Sequence, residues 1–279
     1  MGTSARYSGS NNAGEAAWVA NMATGDILRI GLYSGPEFTS TSNDYQYSRA
    51  DSITDNGYLQ GTTFRFSGST SAGSAAWVAD MGYSSTTRVG LYDDGGGIVY
   101  TGSNNYQESY ITILTEAGRA AGYSKRYNGN AGEDGQTAWI YDLVSNTQIS
   151  YELSVRPSDG YAFSNINGIT SDGLAYGYFT LFSGEMNLGD RAFIWTADFG
   201  TLVLDDAISG GVAQFGWDYL ANVDFANLAG VMVGLGLPDG SPNGRGVYMV
   251  QTVPEPGTAA LLLLGAGALL FRRTRKTNT

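Results

Sequence analysis

The 279 residues include no histidine and no cysteine. That removes the Ser-His-Asp triad, the imidazole general base, imidazole or thiolate zinc sites and the thiolate nucleophile. Carboxylates remain, since glycoside hydrolysis needs only two acids at a set separation. Asp51, Asp55, Glu116, Glu133, Asp134, Asp172, Asp205 and Asp206 are candidates. Most stand in turn-like stretches, where Asp bonds its own backbone, so no catalytic residue is expected. Calcium takes oxygen ligands from flexible loops. Asn128, Asn130, Glu133 and Asp134, in a Gly-rich run, are the better candidates for it, ahead of Asp93-Asp94-Gly95-Gly96-Gly97. Neither run has the spacing of an EF-hand loop.

Other residues recur in register. Gly-x-x-x-Arg-aromatic runs from Gly2 to Tyr7, from Gly61 to Phe66 and from Gly122 to Tyr127, with weaker copies at Gly177 and Gly234. These glycines are 59, 61, 55 and 57 residues apart. A second element follows each copy: Ala16-Ala17-Trp18-Val19, Ala75-Ala76-Trp77-Val78, Thr137-Ala138-Trp139-Ile140, Ala192-Phe193-Ile194-Trp195 and Gly246-Val247-Tyr248-Met249. A third is Arg29-Ile30-Gly31-Leu32-Tyr33, matched by Arg88-Val89-Gly90-Leu91-Tyr92. A fourth precedes the glycine, as in Thr54-Asp55-Asn56-Gly57, Thr115-Glu116-Ala117-Gly118 and Thr170-Ser171-Asp172-Gly173. Trp18, Trp77, Trp139 and Trp195 would stack well on sugars, but one fixed aromatic per repeat reads as core. Arg6, Arg65 and Arg126 read as partners of a nearby carboxylate or ring.

The elements that must position these residues look like strands. They mix β-branched and aromatic residues over four to six positions between Gly, Asn and Ser clusters. Nothing before residue 254 carries a sustained helical period. The expectation is an all-β, β-propeller-like array of four-stranded repeats with a period of ~58 residues. About four and a half repeats are present, so the ring should be open. A β-solenoid and a string of small β-sandwiches are the alternatives.

The repeats resemble the extracellular repeats named for a His-Ala-Phe signature. The likeness is carried by Arg191-Ala192-Phe193-Ile194-Trp195 with Thr201-Leu202-Val203-Leu204-Asp205, and by Asn165 to Gly177 before them. It spans about residues 1–250 and implies a fold more than an activity. Arg191, Thr137, Ala75 and Ala16 stand where that histidine would be.

The C-terminus has a different character. Val253-Pro254-Glu255-Pro256-Gly257 leads into Thr258–Phe271, 14 residues without a charge, and then Arg272-Arg273-Thr274-Arg275-Lys276. As a helix the apolar run spans roughly 21 Å of a ~30 Å hydrocarbon core. Local thinning, or Arg and Lys reaching the headgroups, would let it cross. Arg272, Arg273, Arg275 and Lys276 would hold the end in the cytoplasm. The pattern resembles the PEP-CTERM sorting signal of Gram-negative bacteria, with Val253, Pro254, Glu255 and Pro256 as its motif. That implies an exosortase, a membrane protease-transpeptidase, as partner, and a place in the cell envelope or outside it. The chain divides accordingly into an extracellular repeat domain, 1–253, and a sorting segment, 254–279, made of motif 254–257, transmembrane helix 258–271 and basic tail 272–279.

Residues 1–253 hold 25 acidic against 11 basic side chains, a net charge of −14. Such a body repels nucleic acid and anionic membranes. No signal peptide opens the chain, and Gly2 falls in mid-repeat, so an N-terminal piece is expected to be missing. The reading is a non-catalytic structural or adhesive protein of exopolysaccharide or biofilm, with no cofactor unless calcium binds. The alternative is a secreted carbohydrate-binding or carbohydrate-active propeller enzyme.

Overall fold

A computed structural model describes residues 1–82, 85–93, 98–241 and 244–251. The chain is all-β in these residues, with helix confined to Leu204–Ala207 and three short 3-10 turns. Nineteen strands fall into five units. Unit 1 holds β1 (Gly2–Ser8), β2 (Asn11–Ala20) and β3 (Ile27–Ile30). Unit 2 holds β4 (Gln46–Ile53), β5 (Tyr58–Ser67), β6 (Thr70–Asp80) and β7 (Ser85–Val89). Unit 3 holds β8 (Gln107–Leu114), β9 (Arg119–Lys125), β10 (Gly135–Asp142) and β11 (Thr147–Tyr151). Unit 4 holds β12 (Ala162–Ile169), β13 (Ala175–Ser183), β14 (Met186–Thr196) and β15 (Gly200–Val203). Unit 5 holds β16 (Trp217–Leu220), β17 (Phe225–Ala226), β18 (Val231–Pro238) and β19 (Gly246–Gln251).

Units 2 to 4 are each a four-stranded antiparallel meander, whereas in unit 5 both β16 and β17 pair with β18. In unit 2 Gly-x-x-x-Arg lies on the second strand, Ala-Trp on the third, and Arg-x-Gly-Leu-Tyr closes the fourth, as the repeat predicts. The Thr-to-Gly elements turn the first strand into the second. In all three, the Thr hydroxyl accepts an N–H four residues on and the glycine has positive φ. Asn227-Leu228-Ala229-Gly230 is a fourth copy, in which Asn227 Oδ1 accepts from Val231.

The recurring glycine has a steric cause. Gly2, Gly61 and Gly122 pair across the ladder with Trp18, Trp77 and Trp139, and Gly177 and Gly234 with Phe193 and Tyr248. Opposite Gly61, Gly122 and Gly177 the first strand is bulged, and a Cβ on any of them would overlap the carbonyl of Arg49, Tyr110 or Asn165. A side chain there would force the bulge apart. Phe193, rather than Trp195, is therefore the true repeat partner; Trp195 pairs with Ala175, two positions on. Trp77 and Trp139 are fully buried, so they are core and not sugar platforms.

Among the described residues no unit has a core of its own. Each of the four buried clusters lies between consecutive units, and in each the repeat aromatic points back onto the small residues of the unit before. Trp77 and Ala79 thus pack on Ala17 and Val19, and Trp139 on Ala76 and Val78. Units 1 to 4 are also joined by two-residue parallel bridges, Gly14 to Gln46, Gly73 to Gln107 and Gly135 to Ala162, making one 15-stranded sheet. Unit 5 is a separate four-stranded sheet, and no described strand pairing joins it to unit 1. The recurring arginines brace the bridges. Arg6 and Arg65 donate to the Ala13 and Ala72 carbonyls and to Asp44 and Asn105 in the next unit's lead-in. The expected carboxylate partner is present for Arg126, which pairs with Glu152 and also donates to Gly160.

Candidate functional site

Pairing of the first two strands of unit 2 sets Arg49 opposite Thr62, and the two line one cleft with Tyr47, Asp51 and Phe64. Tyr47 and Phe64 stack with centroids 4.2 Å apart. Asp51 accepts from Arg49 Nε at 2.6 Å and from Thr62 at 3.2 Å. Tyr106, Glu108 and Tyr110 of unit 3 face them across a cleft of about 560 Å³. Glu108 accepts from the Tyr106 hydroxyl at 2.7 Å and from Tyr127 at 3.0 Å. Burial, then Glu108, pushes the Tyr106 and Tyr127 phenols well above their ordinary value, and burial brings Tyr110 to about 12. These phenols are therefore neutral donors at physiological pH.

The same repeat position opens a second cleft between units 4 and 5. It measures about 510 Å³ and is lined by Tyr178, Asn187, Asp190, Tyr219, Asn222 and Arg245. Tyr178 and Thr62 each follow the repeat glycine, and Gly189 and Gly73 line the two clefts. Thr180 donates to Asp190 at 2.8 Å. The Arg191 guanidinium lies 3.8 Å over the Tyr219 ring and 3.6 Å from Asp205. Tyr178 and Asn222 are shared with a third, more open recess lined by Thr112, Asn165, Asn167 and Asp224. All three are lined by phenols, aromatic faces, amides or hydroxyls, which suit polyhydroxylated ligands.

The acids read from the sequence are dispersed. Asp55 and Asn56 N–H groups donate to Glu116 at 3.2 and 3.0 Å, tying the turns of units 2 and 3. Asp172 pairs with Thr170 in its own turn. Burial raises the Asp205 carboxyl against the opposing effects of the Leu220 N–H and Arg191, but Asp205 lines neither cleft, and Asp206 beside it is exposed. In the calcium candidate loop, Asn128 and Asn130 both donate to Asp134, at 3.3 and 2.8 Å, while Glu133 turns to Lys125 at 2.7 Å. Among the described residues no group of three or more Asp, Glu, His or Cys is placed to hold a metal. Asp93 accepts from the Tyr100 N–H, and Asp94 to Gly97 lie outside the described residues.

Of the acids singled out in the sequence, Asp51 lines one of these three clefts. Glu108, Asp190, Asn165, Asn222 and the aromatics were missed. Their signal is faint but present: polar residues two apart on a first strand, as in Arg49-x-Asp51 and Asn165-x-Asn167, or between its two halves, as in Asn222-x-Asp224.

Val253 to Pro256, residues 258–271, and Arg272, Arg273, Arg275 and Lys276 lie outside the described residues. Among the described residues no helix is long and apolar enough to cross a membrane. The comparisons speak to this segment directly: a family model described as the PEP-CTERM protein-sorting motif matches residues 252–276. The chain carries that motif, and with it the signal of an exported protein sorted by an exosortase. No curated protein matches the chain. Solved structures similar to it include one titled "Glycoside hydrolase", at 9% identity and TM-score 0.28, covering 90% of this chain and 82% of that one. Another is a GH43 endo-arabinanase from Bacillus licheniformis, at 11% identity and TM-score 0.28, covering 88% of each. Likeness at this level carries no argument about activity. The resemblance of residues 1–250 to the His-Ala-Phe repeats has no counterpart among these matches.

Proposed function

We propose that this is a non-catalytic surface protein that, once exported, holds extracellular polysaccharide in its inter-unit clefts as part of a matrix or biofilm. The five units are read as a propeller-like array with an open ring, and the apolar segment 258–271 as its membrane anchor before processing. One observation carries the binding reading. Two clefts at the same repeat position each combine aromatic rings, amide or hydroxyl donors and an acid already occupied by an internal donor. Acids so occupied are braces, whereas glycoside hydrolysis needs one carboxyl free to give a proton and another to attack or activate water. Two weak sites on one body add into useful avidity.

The test is retention on a polysaccharide panel of the full chain and of variants Tyr47→Ala with Phe64→Ala, and Tyr178→Ala. Each should weaken retention several-fold, and together they should abolish it. Unchanged retention would remove the clefts from the account. Calcium is proposed for the Asn128–Gly135 loop alone. Its addition should raise the melting temperature, and Asp134→Asn should cancel the rise.

A further inference from the structure

Ahead of its bulge, the first strand of units 2, 3 and 4 buries one serine, Ser48, Ser109 or Ser164, and turns the residues on either side of it to the opposite face. An aromatic ring stands on that face in each unit and meets a second ring from the neighbouring strand. Tyr47 stacks on Phe64 with centroids 4.2 Å apart, Tyr110 lies 5.3 Å from Tyr123, and Phe163 stacks on Tyr178 at 5.9 Å. All six rings stay partly exposed, Phe64 to 40%. Cross-strand pairing stabilises each sheet, but it gives no reason for three consecutive units to keep paired rings open on one face.

The pairs connect the clefts. Tyr47, Phe64 and Tyr110 line the cleft between units 2 and 3, and Tyr178 lines both the cleft between units 4 and 5 and the recess beside it. Tyr123 and Phe163 line none of the three; they stand between, on strands β9 and β12, which approach each other. The charges along this stretch are already matched: Arg49 to Asp51 at 2.6 Å, Lys125 to Glu133 at 2.7 Å, and Glu108 to two phenols. What the face offers an incoming molecule is ring surface and hydroxyl groups.

We propose that the three pairs and the clefts at their ends form one track, along which a single polysaccharide chain lies from units 2 and 3 to units 4 and 5. The chain it fits is neutral and extended, built of pyranose rings with equatorial hydroxyls. Such a ring turns an apolar C–H face to an aromatic and directs its hydroxyls to the edge, within reach of phenols. A charged polymer would find the counter-charges along the pairs already taken, and an anionic one would be repelled by a body of net charge −14. The inference rests on the polysaccharide-binding reading and adds to it that the clefts are parts of one site, which recognises an internal stretch of chain.

Tyr123 and Phe163 separate the track from two independent clefts. Calorimetry of the full chain with β-1,4-linked gluco-oligosaccharides should show affinity rising several-fold from disaccharide to tetrasaccharide and again to hexasaccharide. The α-1,4-linked hexasaccharide, which is coiled, should bind several-fold more weakly than its β-linked counterpart. Tyr123→Ala and Phe163→Ala should each lower hexasaccharide affinity several-fold and leave disaccharide binding unchanged, and Tyr123→Phe, which keeps the ring, should restore it. Equal affinity at all lengths, or a hexasaccharide indifferent to both alanine variants, would overturn the track while leaving the clefts as separate sites. Failure of every oligosaccharide to bind would also overturn it, and retention on the polysaccharide panel would still decide the binding reading by itself.

Discussion

The junction between units 2 and 3 and that between units 4 and 5 solve one problem in two ways. At the first, Gly73 with φ of 93° brings its backbone against Gln107, and a parallel bridge zips the units into one sheet. At the second, Gly189 keeps positive φ, but its neighbour is the Tyr219 hydroxyl, with Arg191, Tyr219 and Asp205 bridging in place of backbone. Apolar packing is present at both. The backbone bridge is therefore dispensable for stacking but needed for continuity of the sheet, and where it is lost, side chains hold the units together at longer range. Side chains can move aside and backbone cannot, so the two junctions should differ in tolerance to change.

The comparison is broken most severely in the aromatic layer. Trp139→Ala should cost about 3–5 kcal/mol, because the ring is wholly buried between units 2 and 3. Trp18→Ala, whose ring is half-buried, should cost about 1–2 kcal/mol. Urea denaturation of both variants measures the gap, and equal losses would contradict the stacking order. Trp139→Phe should lose little, since the indole N–H has no partner to forfeit. Next comes the bridge itself. Gly73→Ala sets a Cβ into the Gln107 carbonyl at positive φ and should cost on the order of 3 kcal/mol, whereas Gly189→Ala meets only a movable side-chain tip and should cost about 1 kcal/mol.

A smaller effect sharpens the contrast through pH. The Tyr106, Tyr110 and Tyr127 phenols are raised above the value of about 10 they hold in an unfolded chain. Their contribution to stability is whole below about pH 10 and is lost as pH climbs through their folded values. Tyrosinate absorbance should rise late for this cluster, and Glu108→Gln should bring part of it earlier. An unchanged titration would remove Glu108 from the cluster. The smallest change is expected from Asp205→Asn, within about 1 kcal/mol, because its pair with Arg191 is long at 3.6 Å and partly exposed, Arg191 keeps its bonds to the Leu188 and Asp190 carbonyls, and an Asn oxygen can still accept from the Leu220 N–H.

The fold was largely legible because its hardest constraint is local. Gly61 lies under Trp77 and against the Arg49 carbonyl, and a glycine paired across the ladder with an aromatic survives in all five units. The fourth turn escaped notice because Asn227 replaces Thr while making the same bond. Trp195 was misassigned since Phe193 and Trp195 share a face, and only the register separates them. First strands such as Gln46–Ile53 carry no clean alternation, because their bulge resets the period midway. The clefts were illegible for a different reason. Tyr47 and Tyr110 meet only when units a whole period apart are stacked, and no linear spacing announces it. The sorting motif, being read as an extended linear signal, needed no fold to be found.

Binding without turnover is the central claim, and one incubation tests it. The full chain is held with a polysaccharide it retains, at low and at high salt, while bound fraction and new reducing ends are followed together. Aromatic and amide contacts predict binding that changes little with salt, unlike attachment through net charge, and no sugar release. Release of sugar that disappears with Asp51→Asn or Asp190→Asn would contradict the account and make the clefts active sites.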